Sequence, residues 1–440
     1  MAEADPHDDR RLTAKGQATR DRIVQIAAEL ILSEGVSSFN MDALRRAASV
    51  SGSQLAHYFT DKGELIRAVV ERQTNVVLDF HRQPKLRTLD TFDDFERWID
   101  LNMRYLRRTG YSGTPTYHAL AGQLGKSDAT TRDTLAAGYW QWIMLLENSF
   151  QRMKDRHILI SDADARKLAL LVVSAHQGGA TLSFTYRAEW PHADALRFAL
   201  NYARLFAVNP AERVARAARR PRGRREIGGS APDDAASGLT RKGRATRARI
   251  VDVAADLMFR RGVADTSIDD VRTTASVSGS QISHYFDGKR DLTRKVITAR
   301  REHVQSFHTQ PRLGDLDSLA ALQAWADLTM ADVDTVYRRG GCVYGSLAGE
   351  LIGADAEIHQ DLAAGYDRWI ALFKNGLTEM RRRGDLRPDA DPRHLAVSLV
   401  AAHQGGAMVT FITEDPEPLR ATIYGAVDYA RSFAPPAPRG

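Results

Sequence analysis

The chain has 440 residues, 43% of them hydrophobic, and a formal net charge of +6. That length exceeds one ordinary core and the composition is that of a globular protein, so two or more domains are expected. A single cysteine, Cys342, excludes an internal disulfide and a thiolate-rich metal site, and neither metal nor cofactor is expected. No N-terminal stretch has signal-peptide character and no run of about 18 apolar residues offers a membrane span, so a cytoplasmic protein without membrane attachment is expected.

In chain order, residues 1–14 are expected to form a disordered arm. Basic residues then gather at Lys15, Arg20 and Arg22. From Ile23 the apolar positions run Ile23, Ile26, Ala27, Leu30 and Ile31, the spacing of one buried helical stripe. Gly35 stands where a helix end favours a left-handed residue. Asn40 and Ser51 are placed to cap the two short helices that follow, and Lys62 opens another helix. Helical patterning continues over 62–82, 92–109, 114–124, 127–154, 163–187 and 192–206. Strand signals are nearly absent, and an all-α fold is expected.

The pattern then starts again. Lys242 and Lys15, Gly262 and Gly35, Tyr285 and Tyr58, Trp325 and Trp98, Trp369 and Trp142, and His403 and His176 each lie 227 positions apart. Two whole units are therefore fused in tandem, too few and too long for a solenoid. The most similar stretch is SVSGSQLAHYF at Ser49–Phe59 and SVSGSQISHYF at Ser276–Phe286. An amphipathic helix, a Gly-Val turn, a short helix, this stretch and a lysine opening the next helix spell a helix-turn-helix, so the chain reads as a DNA binder. The expected units are a head at 15–62, a helical domain at 63–206, a basic flexible linker at 207–240, a second head at 241–289 and a second helical domain at 290–434.

A recognition helix needs short polar side chains where base edges come within reach and an apolar face that holds it in place. Gly52, Ser53, Gln54, Ala56 and His57 supply the first, as do Gly279, Ser280, Gln281, Ser283 and His284, while Val50, Leu55 and Phe59 supply the second. Gln54 has the donor and acceptor for a bidentate pair with adenine, His57 suits a base or a phosphate, and Gly52 allows close backbone approach. Near-identity of the two stretches predicts a pseudo-palindromic operator. The basic arms holding Lys15, Thr19, Lys242 and Thr246 are expected just before each first helix, against phosphate or minor groove, or else simply solvated.

These residues resemble the TetR family of bacterial transcriptional regulators. The carriers are Gly35-Val36, the helix from Asn40, Val50-Ser51, Leu55, Tyr58-Phe59, Lys62 and Leu65, with equivalents from Gly262 to Leu292. Further on, GCVYGSLAGEL from Gly341 and HQGG at His403–Gly406 look like ligand-domain helices of one branch of that family. The first copy keeps HQGG at His176–Gly179 but reads YSGTPTYHALAGQL from Tyr111, a departure that puts a matching ligand site there in question. The resemblance implies a ligand-released repressor that binds a palindromic operator as a dimer, with Tyr58, Lys62, Tyr285 and Lys289 on phosphates. It also implies that both helical domains serve ligand binding and dimerisation. Here both heads share one chain, so intrachain pairing is expected, with a homodimer of chains also open.

Residues 207–240 carry no apolar period; these 34 positions would reach roughly 30 Å as a random coil. Within them RRPRGRR at Arg219–Arg225 resembles an AT-hook, which implies Arg222 and Arg224 in a narrow minor groove; a merely electrostatic linker is the other reading. A pocket for a small apolar or aromatic effector is expected under Trp98, Tyr105, Tyr117, His118, Trp142 and His176, and under Trp325, Tyr337, Tyr344, Trp369 and His403, residues that could equally be core. The competing readings are a DNA-binding or architectural protein that senses nothing and, with no phosphate-binding loop or metalloprotease motif, least of all an enzyme.

Overall fold

The computed structural model describes residues 12–34, 36, 38–86, 88–109, 117–213 and 239–436. They are almost entirely helical; the single bridge outside helices joins Leu159 and Ala207. In the first copy α1 (Ala14–Glu34), α2 (Met41–Ala47) and α3 (Gly52–Tyr58) form a head, and α4 (Lys62–Arg82) leads from it into α5 (Phe92–Thr109), α6 (Tyr117–Leu124), α7 (Ala129–Asp155), α8 (Ala165–Tyr186) and α9 (Trp190–Arg204). The second copy repeats this as α10 (Arg241–Arg261), α11 (Ile268–Thr274), α12 (Gly279–Tyr285), α13 (Gly288–His308), α14 (Leu319–Ala331), the three-residue α15 (Arg338–Gly340), α16 (Gly345–Glu350), α17 (Ala356–Arg383), α18 (Pro392–Thr413) and α19 (Glu417–Arg431). A π-helical turn, Val333–Tyr337, separates α14 from α15.

Local signals set the helix starts. The hydroxyls of Thr13 and Thr240 accept from the amides of Gly16 and Gly243, both at 3.1 Å, so α1 and α10 begin some nine residues before the apolar stripe. The basic clusters therefore lie inside these helices, which corrects the expectation of arms preceding them. Asn40 caps α2 through its side chain, as the sequence suggested, and Ser267 caps α11 in the same way. Gly35 and residues 1–11 lie outside the described residues. Gly262 ends α10 with φ +95°, in the region that favours glycine. The segment from 207 begins with ordered structure, the 3-10 turn Pro210–Glu212 held by Arg204 on Glu212; residues 214–238 lie outside the described ones.

Helices α8, α9, α18 and α19 form a four-helix layer between the copies, and the paired glycines of the two HQGG segments explain its tightness. Gly178 and Gly405 sit where α8 crosses α18: a Cβ on Gly178 would run into the carbonyl of Ala401, and one on Gly405 into that of Ser174. Gly179 and Gly406 serve packing within each copy, against Ala195 of α9 and Leu419 of α19. Polar contacts cross the layer, among them Asn201 Nδ2 to the Tyr429 hydroxyl at 3.1 Å and the Tyr186 hydroxyl to Asp367 at 2.8 Å. Helix α18, 22 residues long, is apolar enough to cross a membrane by length and composition, contrary to the sequence expectation, but its apolar window is wholly buried inside the protein. Helices α6 and α16 also meet, at Gly122 and Gly349, positions equivalent in the two copies. Contact between equivalent positions places them beside a local pseudo-two-fold axis.

Candidate nucleic-acid interface and effector cavity

Each head presents its short third helix outward. Ser51 accepts from the Gln54 amide at 3.1 Å while the Gln54 side-chain carbonyl accepts from the Ser51 amide at 3.0 Å, and Ser278 and Gln281 repeat this reciprocal cap at 3.2 and 2.9 Å. The turn before it is closed by Ser49 and Ser276 in the left-handed region, φ 50° and 52°. Val50, Leu55 and Phe59 are buried, as are Val277, Ile282 and Phe286. The remaining residues, Gly52, Ser53, Gln54, Ala56 and His57, with Gly279, Ser280, Gln281, Ser283 and His284, are exposed on one surface, and Tyr58 and Tyr285 are half-buried beside them. A Cβ on Gly52 or Gly279 would meet nothing within 4 Å, so packing inside the protein does not demand glycine there.

The cap changes what Gln54 and Gln281 can do. Their side-chain oxygens are engaged by a backbone amide, so a bidentate pair with adenine requires that bond to be given up, whereas the amide nitrogens can donate with the cap intact. Lys62 and Lys289, assigned to phosphate by resemblance, each donate to a backbone carbonyl of their own head, Phe39 at 2.7 Å and Ala264 at 2.9 Å. Thr19 and Thr246 do not cap: each hydroxyl donates to the carbonyl four residues back, Lys15 and Lys242. Lys15 and Lys242 are exposed in the first helical turns. The neighbouring arginines hold the head together. Arg22 and Arg249 donate to the carbonyls of Ala48 and Ala275 at the end of the second helix, and Arg20 and Arg247 lie over the rings of Phe59 and Phe286 at 5.2 and 5.6 Å. Arg222 and Arg224 lie outside the described residues.

The helical domains are not alike. The first encloses a cavity of about 100 Å³ whose wall includes Tyr105, Tyr117, His118, Trp142 and His176 together with Val76, Gln73, Phe184 and His192. Its polar groups converge: His118 Nδ1 lies 2.9 Å from the Gln177 side-chain oxygen, and His176 Nε2 lies 3.2 Å from that of Asn102. The His176 and His192 rings meet edge to face at 4.5 Å, and His192 Nδ1 is buried with no hydrogen-bond partner among the described residues. Burial depresses all three imidazoles, His118 to about 4, His192 to about 3 and His176 well below its ordinary value, so the wall is uncharged at neutral pH. Trp98 is not in the wall. It and Trp142 donate their indole N–H to one acceptor, His81 Nε2, at 3.0 and 3.1 Å, while His81 Nδ1 is held on the Val77 carbonyl.

The second copy keeps this Trp–His–Trp clamp, with Trp325 and Trp369 on His308 Nε2 at 3.0 and 2.9 Å. Around the equivalent positions its own side chains meet, and a separate cleft of about 290 Å³ lies beside Arg301, Val304, Arg368 and Trp369. The Tyr337 hydroxyl lies 2.8 Å from His403 Nε2, the Tyr344 hydroxyl donates to the Leu362 carbonyl, and Gly345, at the position equivalent to His118, is covered by the Gln404 amide. The departure in sequence after Tyr111 thus accompanies the copy whose cleft is walled by Tyr117, His118 and His176; Tyr111 itself lies outside the described residues. Sequence reasoning also missed His81, His308 and His192. The first two are 227 apart and were visible as a pair, whereas His192 matches Leu419 and left no trace in the repeat.

Comparison with known proteins adds the following. A family described as "Bacterial regulatory proteins, tetR family" matches residues 23–69 and again 250–296, and one described as "Tetracyclin repressor-like, C-terminal domain" matches 318–425. The HTH-type transcriptional regulator SrpR of Pseudomonas putida is 24% identical over 147 residues, which is 33% of this chain and 66% of SrpR. The HTH-type transcriptional repressor KstR2 of Rhodococcus jostii is 26% identical over 145 residues, 32% of this chain and 69% of that protein. Among solved structures, a TetR transcriptional regulator from Chloroflexus aurantiacus is 24% identical, with a TM-score of 0.41, covering 44% of this chain and 98% of its own.

Proposed function

The chain belongs to the TetR family of bacterial DNA-binding transcriptional regulators, two copies on one polypeptide, and we propose that it acts as a ligand-released repressor in which one chain is its own pseudo-dimer. The observation that carries this is the pair of heads: their recognition helices, α3 and α12, expose the same residues apart from Ala56 and Ser283, and the domains behind them are packed together through α8 and α18. On the operator, Gln54 and Gln281 face base edges, Ser53, His57, Ser280 and His284 contact bases or phosphates, and the open space at Gly52 and Gly279 lets backbone approach DNA. Tyr58 and Tyr285 lie on phosphates, as do Lys15 and Lys242 at the exposed helix starts. Lys62 and Lys289 steady the turn beneath them and reach phosphate with their remaining protons.

The effector is small, uncharged and flat, and enters the first-copy cavity past Val76, which is 45% exposed. A neutral aromatic with one hydroxyl fits the wall, whose polar groups come from Asn102, His118, His176 and Gln177. Binding-site selection from random DNA tests the reading of the heads. A pseudo-palindrome with two near-identical half-sites is expected, and two unrelated half-sites would contradict it. The protein works in the cytoplasm, where the operator is.

A further inference from the structure

In both copies the helix beyond the pocket position holds the turn of its own head. Gln123, near the end of α6, accepts from the Val36 amide at 2.8 Å; Glu350, its equivalent at the end of α16, accepts from the Val263 amide at 2.5 Å. The first copy adds a contact that the second does not return. Lys126, just past α6, donates to Glu350 at 2.6 Å and to the Met258 carbonyl in the second head at 3.1 Å, and its ammonium lies 5.4 Å from the centre of the Phe259 ring. Lys126 and Glu350 side chains are 6% and 8% exposed, so this ion pair is desolvated and its geometry is confined. The position equivalent to Lys126 is Gly353, which has no side chain to reach the first head.

The same short helix therefore touches three things. Its start, Tyr117 and His118, is cavity wall; its end, with Gln123 and Lys126, holds the first head and the second. In the second copy the start of α17 is tied to α13 by ion pairs. Arg290 and Arg294 of α13 bind Asp355, Glu357 and Asp361 around the start of α17 at 2.6–3.0 Å, whereas the first copy has Gly63 for Arg290 and Thr130 and Thr134 for Glu357 and Asp361.

We propose that control is one-sided: a single effector in the first copy moves α6, and Lys126 carries that movement across to the second head, which needs no effector of its own. The proposal rests on the effector reading above and assigns its regulation. Lys126 is a positioning residue, acting through Glu350 and the end of α10. Its removal alone would strand a buried Glu350, so the informative variant is K126M/E350Q, which leaves the Val263 amide an uncharged acceptor as Gln123 gives Val36.

The test is hydrogen exchange at the Val36 and Val263 amides of the full chain, with and without 2-naphthol, a flat neutral hydroxyl-bearing probe. In the unaltered protein 2-naphthol is expected to raise exchange at both amides by about tenfold, within the ordinary range of site-to-site coupling. In K126M/E350Q the Val36 response persists and the Val263 response disappears; Lys126→Arg, which keeps the cation, restores it. A full Val263 response in K126M/E350Q overturns the proposal while leaving the effector reading intact. Silence at both amides in the unaltered protein, with an Ala180→Phe side chain filling the cavity equally silent, overturns the effector reading and the proposal with it.

Discussion

At the scale of single residues, Gln54 and Gln281 carry two duties that substitution can separate. A glutamate keeps the carbonyl-type acceptor that caps the helix but loses the donor that a base edge requires. Gln54→Glu is therefore expected to leave the urea midpoint unchanged and to weaken operator binding, whereas Gln54→Ala loses about 1 kcal/mol of stability as well. A Gln54→Glu protein that binds its operator as tightly as the parent would show that the side chain is only a cap. His81 and His308 make the opposite case, being structural throughout. His308→Phe orphans two buried indole N–H groups, at about 1–3 kcal/mol each, and the loss should appear in the denaturation midpoint with operator contacts untouched. The recognition residues were legible because a short exposed helix is read from local sequence. The clamp was not, because its histidine and tryptophans meet only through packing across three helices.

Among the elements, α8 and α18 decide whether the copies remain one body. The glycines at their crossing leave no room for even one methyl group, so Gly405→Ala forces the helices apart or bends them, an overpacking cost of about 1–3 kcal/mol. Gly353→Ala, where the structure has open space, serves as the control and should be neutral. Comparison of the two by urea denaturation checks the claim. The helix boundaries followed the sequence closely, since capping side chains and apolar spacing act locally: α4 and α5 were anticipated residue for residue. The starts of α1 and α10 were missed because a threonine cap overrides the absence of an apolar stripe. The inward fold of Tyr337 and Gln404 in the second copy was also illegible, being a matter of packing rather than pattern.

For the whole molecule, the buried histidines predict acid sensitivity. His81, His118 and His308 are depressed to about 4, and His192 and His403 to about 3, in each case chiefly by burial. Above pH 6.5 both folded and unfolded states are neutral at these sites and they contribute no pH dependence. Below it the unfolded chain takes up protons that the folded chain refuses, so stability falls as pH falls from about 6.5 towards 4, by at most about 1.4 kcal/mol per unit for each group. Denaturation midpoints at pH 7.5 and 5.5 should differ accordingly, and a midpoint independent of pH would contradict the buried, neutral wall. The tandem plan itself was plain from the constant offset of 227, but how the copies meet was not: Lys126, which reaches across to the second head, breaks the repeat, its equivalent being Gly353. The central claim, one chain as its own pseudo-dimer, is tested most directly by the mass of the complex formed on a selected operator, with Gln54→Ala and Gln281→Ala proteins alongside. One chain on each pseudo-palindrome, weakened by either substitution, is the predicted result. Two chains per site, or indifference to one of the substitutions, would contradict it.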